Sequence, residues 1–389
     1  MAGQDQINIE PTAANVVALV DALLAKAIDA QASDIHLDPT GSELVVRFRL
    51  DGVLKELARL PGAIAENIIA RLKVLGGLLT YRNDVPQEGR IELPRQRSSQ
   101  VSDLRLAVFP TICGQRAVIR IFYQHDQLSD LAQLGLPDGI LRMFQAFARG
   151  HQGVLLLTGP AGSGKSTTLA ALLRYIMDRW PGKSIVSLED PVEIRVEGVT
   201  QIQINPNVGL TFPTALRSLL RQDPEVLMIG EIRDDQTARI VVEAGMTGHL
   251  LVSTMHSGSP VGAIVRLLEM GIEPYQLTSS LWGLVNQRLV RRLCPACKQA
   301  RGEGTYGPVG CPQCLGTGFR GRVLLAEAIQ MDSRLRKAVL ERADTEQLQS
   351  ILAGQGHVGI IEHARQLVAN GDTCHQELVR ALGLDPQDL

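Results

Sequence analysis

The stretch VLLLTGPAGSGKSTTL, residues 154–169, constrains this chain more than any other. An apolar run ends in a glycine-rich loop, and a helical pattern, TTLAALLRYIM, starts directly after it. Gly159, Gly164, Lys165 and Ser166 satisfy G-x-x-x-x-G-K-[ST], in the strand–loop–helix context where that spacing has a mechanism. The loop Gly159, Pro160, Ala161, Gly162, Ser163, Gly164 can turn backbone N–H groups around phosphate, and the helix start adds the positive end of its dipole. Lys165 is expected on the β- and γ-phosphates of ATP and Ser166 on Mg²⁺, with Thr167 counted in the same cradle.

Around this loop, apolar runs alternate with helical stretches: VLLLT, SIVSL, VLMIG and HLLVST. That alternation predicts a parallel sheet with crossover helices, an α/β fold. Residues 1–125 read differently. A helix is predicted from Thr12 to Ala30, hairpin turns at Asp38-Pro39-Thr40-Gly41 and at Asp51-Gly52, and a second helix near Ala63–Leu79. RIELP, SDLRLAVFP and RAVIRIFY read as three further strands of a compact α+β domain. A linker is expected over 126–136, then the larger domain over 137–389, with a cysteine-bearing subdomain at 290–322 and a helical tail at 333–389.

An ATP-cleaving loop needs a carboxylate for magnesium and a group that orients water. Glu231 ends the apolar run VLMIGE, and SLEDPVE places Glu189, Asp190 and Glu193 just after another strand. Strand C-termini are where an open α/β sheet puts its crevice. Gly230 stands where an aspartate is usual, so Glu231 is expected to serve as the base, directly or through metal-bound water. His249 and His256 bracket LLVST, and a histidine there can sense the γ-phosphate, although a lone histidine is as readily a satisfied core residue. Motors of this kind often add arginines from a neighbouring domain or subunit. Arg90, Arg105 and Arg120 lie in the first domain; Arg217 and Arg221 are i,i+4 on an expected helix. Spacing alone does not single them out.

Cys294, Cys297, Cys311 and Cys314 form C-x₂-C-x₁₃-C-x₂-C, a pattern that can close a tetrahedral site of four thiolates with no open position. The paired C-P-x-C knuckles favour structural zinc over an iron–sulfur cluster. Cys113 and Cys374 stand alone and read as small buried hydrophobes. Arg288, Arg291, Arg292, Lys298 and Arg301 surround the quartet, so a motor acting on nucleic acid stays open. Against it, 39 basic and 41 acidic residues leave a net charge of −2, which gives no global pull toward nucleic acid or anionic membrane. No apolar run approaches the ~20 residues of a membrane span, and the N-terminus lacks a signal-peptide pattern, so a cytosolic chain is expected.

Taken together, ASDIHLDP, RFRLDGVL, SDLRLAVFPTICGQRAVIRI, LLLTGPAGSGKSTTL, SLEDPVE, LLRQDPEVLMIGEIRDDQTA, TGHLLVSTMH, NQRLVRRLCPACK and CPQCLGTGFRGR resemble the secretion ATPases of type II secretion and type IV pilus assembly. The likeness runs nearly continuously over residues 30–332, with a weaker echo in NGDTCHQELVRAL. It implies a PAS-like N-terminal domain joined to a RecA-like ATPase domain with a zinc-binding insertion, in a homo-hexamer. SLEDPVE would be the family's acidic box, Glu231 its Walker B acid and TGHLLVSTMH its His box. Arg90, Arg105, Arg217 and Arg221 match arginines that reach the nucleotide in the family. The implied partners are an inner-membrane platform protein and a membrane-docking protein, placing the motor at the cytoplasmic face of the inner membrane. The cysteines occur in the branch that builds or pushes and are lacking in retraction motors. Serine and glycine follow His256 where Thr-Asn is usual, and DPEV replaces DPDV. The helix before ASDIH starts almost at Met1, so docking through the family's extra N-terminal domain is not expected. Beside the secretion motor stand a pilus or DNA-uptake motor and a nucleotide-regulated scaffold.

Overall fold

The computed structural model describes residues 12–92, 101–123, 130–302, 304–354 and 357–385. The chain divides into two compact units, Met1–His125 with Arg291–Arg322, and Asp126–Val290 with Val323–Leu389. Chain order attaches 290–322 to the larger domain; packing groups Arg291–Arg322 with the smaller one.

In the smaller unit, α1 (Val16–Asp29) and α2 (Ala65–Leu75) accompany a six-stranded sheet of β1 (Asp34–Pro39), β2 (Glu43–Leu50), β3 (Val53–Pro61), β4 (Gln87–Arg90), β5 (Val101–Thr111) and β6 (Gly114–Tyr123). The strand order is β3-β2-β1-β6-β5-β4, and every neighbouring pair is antiparallel. Alternation decides the faces. Ile35 and Leu37, Leu104 and Leu106, and Ile119 and Ile121 point to a core shared with Leu19, Leu23, Ile68 and Leu72 of the helices. Asp51-Gly52 closes the β2–β3 hairpin with both residues at positive φ, 49° and 87°, as a two-residue type I′ turn requires. The strand read from RIELP lies earlier, at Gln87–Arg90, and the end of that stretch lies outside the described residues. The β5–β6 turn leaves Cys113 exposed rather than buried, because a two-residue loop between Thr111 and Gly114 has no interior.

The larger unit is built on a seven-stranded sheet of order β15-β12-β7-β11-β10-β8-β9. After α3 (Asp138–Ala148) come β7 (Gly153–Thr158), α4 (Lys165–Arg179), β8 (Ile185–Glu189), β9 (Thr200–Gln203), α5 (Phe212–Leu219), β10 (Val226–Ile229), α6 (Asp235–Met246), β11 (Leu250–Met255), α7 (Pro260–Glu269), α8 (Pro274–Ser280) and β12 (Leu281–Leu293). The small hairpin β13 (Gln299–Gly302) and β14 (Thr305–Gly307) belongs to the cysteine segment. Beyond it lie β15 (Phe319–Gln330), α9 (Ser333–Leu340), α10 (Thr345–Gly354), α11 (Ile360–Ala369) and α12 (His375–Leu382). The pairs from β12 through β7, β11, β10 and β8 to β9 are parallel. β7, β8, β10 and β11 are buried at every position, as a parallel sheet covered on both faces requires. One core holds Leu216, Val241 and Ile264 against the sheet; the other holds Phe144, Leu172 and Ile176. Among the described residues, no helix is long and apolar enough to cross a membrane.

Candidate nucleotide site

Register assembles the site. Met255 pairs with Thr158, Ser253 with Ile229, and Ile229 with Leu188, so β7, β11, β10 and β8 all end at one edge of the sheet. The loop between β7 and α4 leaves from that edge. Gly159, Gly162 and Gly164 take φ of 138°, 73° and 92°, which glycine alone adopts without strain. At Gly159 space is limiting as well: a Cβ would stand 2.3 Å from the Gln287 carbonyl oxygen on β12. Gly164 precedes Lys165, the first residue of α4, so free N–H groups of the helix open onto the loop. Lys165 Nζ donates to the Gly159 and Pro160 carbonyls at 2.8 and 3.0 Å. Its pKa is lowered: burial pushes it down and Arg288 adds to that, which outweighs the opposing pull of Glu231 and Glu193. Ser166 and Thr167 follow at the half-buried start of α4, and the Ser163 hydroxyl is buried without a protein partner.

Glu231 stands one residue beyond Gly230 at the end of β10. The turn is held by its neighbours: Thr254 Oγ1 donates to the Gly230 carbonyl at 2.7 Å, Ser253 Oγ donates to Ile229 at 2.8 Å, and the Gly230 N–H reaches Leu188 at 2.7 Å. The glutamate is gripped on both oxygens, by His256 Nε2 at 2.9 Å on Oε1 and Arg233 Nε at 2.7 Å on Oε2. Arg266 of α7 holds the His256 carbonyl at 2.9 Å. Glu189 takes a different position: it is buried in β8, where Ser187 and Gln201 donate to its Oε1 at 2.6 and 2.9 Å. Asp190 and Glu193 are exposed just after it.

Within this unit His249, Arg217 and Arg221 are not beside the loop. His249 precedes Leu250, which pairs with Gly153, so it lies at the far end of β11 from the loop, ~20 Å away at strand rise. Its Nδ1 meets the Ala244 carbonyl at 3.3 Å, a structural hydrogen bond of the α6–β11 turn. Within its own chain His249 therefore stands away from the loop, and His256 is the histidine that meets Glu231. Arg217 is exposed near the C-terminal end of α5 and Arg221 just beyond it, ahead of β10, on the side of the sheet away from the loop. Arg90 and Arg105 belong to the other unit, where both grip Asp103, at 2.6 and 3.1 Å, from a mostly exposed sheet face. Arg105 pairs across strands with Arg90 and Arg120, and Arg120 reaches Asp34 at 3.1 Å.

Sequence reasoning missed three residues that touch this machinery: Arg233 on Glu231, Asn286 on Thr158, and Gln287, which donates to Thr168 of α4 at 3.0 Å. Arg233 has a signal, two positions after the acid in GEIRD. The amides have only their polarity inside an apolar run.

The cysteine quartet comes together within the smaller unit. Its four sulfurs lie within 4.8 Å of one another, with 3.9 Å from Cys294 to Cys311, 3.8 Å from Cys297 to Cys314 and 3.8 Å from Cys311 to Cys314. Four thiolates bonded at 2.3 Å to a tetrahedral ion lie about 3.8 Å apart, so the donor set fits a metal. Burial pushes the Cys314 thiol up, but the N–H groups of Cys311 and Gly318 outweigh it and hold the thiol at about 6. Lys55 donates to the Leu315 carbonyl, and the Gly321 N–H donates to Asp51 at 2.9 Å, tying the knuckle to the β2–β3 turn.

A glycine-rich loop at the carboxyl edge of a parallel sheet, with an acid at the end of a strand two places along, defines a P-loop ATPase of RecA-like fold. Solved structures share the fold: the pilus retraction motor PilT with bound ADP, TM-score 0.61 at 24% identity over 94% of this chain and 97% of that one, and the Legionella pneumophila ATPase DotB, TM-score 0.69 at 20% identity over 96% of each. The chain belongs to the type II/IV secretion system protein family, whose model matches residues 10–380. It is 39% identical to the type II secretion system protein E of Klebsiella pneumoniae over 94% of this chain and 76% of the relative. The Aeromonas hydrophila protein of the same name is 41% identical over 84% and 68%. The type IV pilus assembly ATPase PilB of Thermus thermophilus is 36% identical over 92% of this chain and 42% of that longer protein.

Proposed function

We propose that this chain is the ATP-hydrolysing motor of a type II secretion system, acting as a homo-hexamer on an inner-membrane platform protein. The observation that carries the reading is Glu231, held between His256 and Arg233 at the strand end beside Lys165. The loop N–H groups and Lys165 bind the triphosphate, and Ser166 holds Mg²⁺, which neutralises phosphate charge when bound. Glu231 orients water in line with the γ-phosphorus and takes its proton. His256 and Arg233 fix the carboxylate's rotation, and His256 is the side chain placed to register the γ-phosphate. Glu189, buried and doubly hydrogen-bonded, sets the acidic loop that follows it rather than reacting itself.

Arg217 and Arg221 are exposed and away from the loop of their own chain, which suits contact with a neighbouring subunit's nucleotide in a ring. Arg90 and Arg105 take the nucleotide-contacting part that the resemblance gives them, released from Asp103 as phosphate charge replaces the carboxylate. Cys294, Cys297, Cys311 and Cys314 hold structural zinc, closed to substrate. The chain works at the cytoplasmic face of the inner membrane, and a cytosolic membrane-docking protein is a further partner.

Steady-state ATP hydrolysis by assembled rings, with and without Glu231→Gln, tests this. The expected loss is on the order of a hundred- to a thousand-fold in kcat with ATP still bound. A variant turning over near the wild-type rate removes Glu231 from the mechanism; stimulation by single-stranded DNA instead of platform-protein loops turns the assignment toward a DNA motor.

A further inference from the structure

Three neighbouring strands of the larger unit each place one polar side chain in the same buried row. Thr158 ends β7, Asn286 lies directly across from it on β12, and Glu327 lies on β15; they are 0%, 1% and 9% exposed. An amide and a carboxylate at such depth are unfavourable unless their hydrogen-bonding positions are used. Here they are. Thr158 Oγ1 donates to Asn286 Oδ1 at 3.3 Å. Asn286 Nδ2 donates to the Gly258 carbonyl at 3.1 Å and to Glu327 Oε1 at 2.9 Å. The network fixes the amide's orientation, since a flipped Asn286 would face two acceptors with its oxygen. Glu327 Oε2 accepts the Ile360 N–H at 3.1 Å, and His357 Nε2 lies 3.6 Å from the same oxygen.

The ends of this chain of bonds matter. Thr158 is the residue before Gly159, the root of the phosphate loop. Gly258 is two residues beyond His256, on the segment that brings His256 to Glu231. Ile360 is the first residue of α11, whose preceding Gly359 offers no side-chain cap, so Glu327 caps the helix from another element. One carboxylate therefore gives one oxygen to the catalytic edge and the other to the C-terminal helices. Rotating it moves both bonds together.

We propose that Asn286 and Glu327 form a positioning pair that sets the phosphate loop against the His256 segment and couples that setting to the packing of α11. This rests on the hydrolytic reading above. Burial raises the Glu327 pKa, but the bonds from His357, Asn286 and Ile360 outweigh it, so the carboxylate stays charged at neutral pH and the pair is set for work there.

The test uses full-length rings carrying Asn286→Ala, Glu327→Gln or Glu327→Ala, with steady-state kinetics, thermal melting and hydrogen exchange read peptide by peptide. Asn286→Ala and Glu327→Ala should lower kcat about ten-fold or more while KM for ATP moves less than about three-fold, the split expected of lost positioning. Glu327→Gln should fall between them and wild type, because its carbonyl oxygen keeps one of the two acceptor roles. Magnesium with a non-hydrolysable ATP analogue should slow exchange in the first turn of α11 in wild type, and in neither alanine variant. A kcat within about two-fold of wild type for Asn286→Ala, or variants whose only change is a lower melting temperature, overturns the proposal. So does an α11 that ignores the nucleotide in wild type. Exchange coupling without any hydrolysis would instead sink the motor reading and leave the coupling standing; hydrolysis without coupling would do the reverse.

Discussion

The two sheets distribute their polar chemistry in opposite ways. In the larger unit the central strands run parallel and are buried on both faces, so polar groups collect at the edge where those strands end: Lys165 opens α4 there, and Glu231 meets His256 there at 2.9 Å. In the smaller unit the strands run antiparallel and one face is open, so polar groups spread across it. Arg49 and Arg120 flank Asp34, Arg47 and Arg116 flank Asp38, and Arg90 and Arg105 flank Asp103. Direction localises chemistry in the first sheet; alternation disperses it in the second. For the chemistry, a point change should therefore be severe at the parallel edge and mild at the opposite end of the same strand.

The largest effect expected is from Lys165→Ala. Removing the ammonium from the loop should cost on the order of a thousand-fold in hydrolysis, with nucleotide affinity falling as well. Activity surviving that change would mean that the edge of the parallel sheet is not where the chemistry sits. Next in size is a contrast within β11. His256→Ala should lower kcat about ten- to a hundred-fold through a loosened Glu231. His249→Ala should stay within about two-fold, because it removes only a turn hydrogen bond far from the reacting atoms. Equal losses at both would erase the distinction between the two strand ends. The smallest effect on chemistry should follow metal removal. Chelation should speed amide exchange across 294–318 and, through Leu315 and Gly321, at the Asp51-Gly52 turn, because binding energy is folding energy in such a site. Nucleotide affinity should move less than about two-fold. A large loss of affinity would show that the quartet acts well beyond its own unit.

The sequence makes the parallel edge legible because its signals are local. A phosphate loop, an acid at the end of VLMI and a strand read from HLLVST are each complete within a dozen residues. What it hides depends on direction and partnership. His249 and His256 look equivalent in TGHLLVSTMH, and only the register with β7 separates them. β12 and β15, 13 and 12 residues long, escape notice because LWGLVNQRLVRRL has neither clean alternation nor turn signals at its ends. Its Asn286 and Gln287 break the apolar pattern that marks a central parallel strand, and they do so because each holds a neighbouring element by a hydrogen bond. The cysteine spacing announces a metal-sized cluster, but not that Asp51 and Lys55, more than two hundred residues upstream, anchor it.

The Gln287 carbonyl oxygen, crowding the place where any side chain on Gly159 would begin, gives that glycine a second reason to persist. A saturation library would empty at position 159 even in a descendant that had abandoned ATP altogether. Survival statistics there report a backbone crossing rather than a cargo of phosphate, and a search for degenerate, non-hydrolysing members of this lineage does better to watch Lys165 and Glu231.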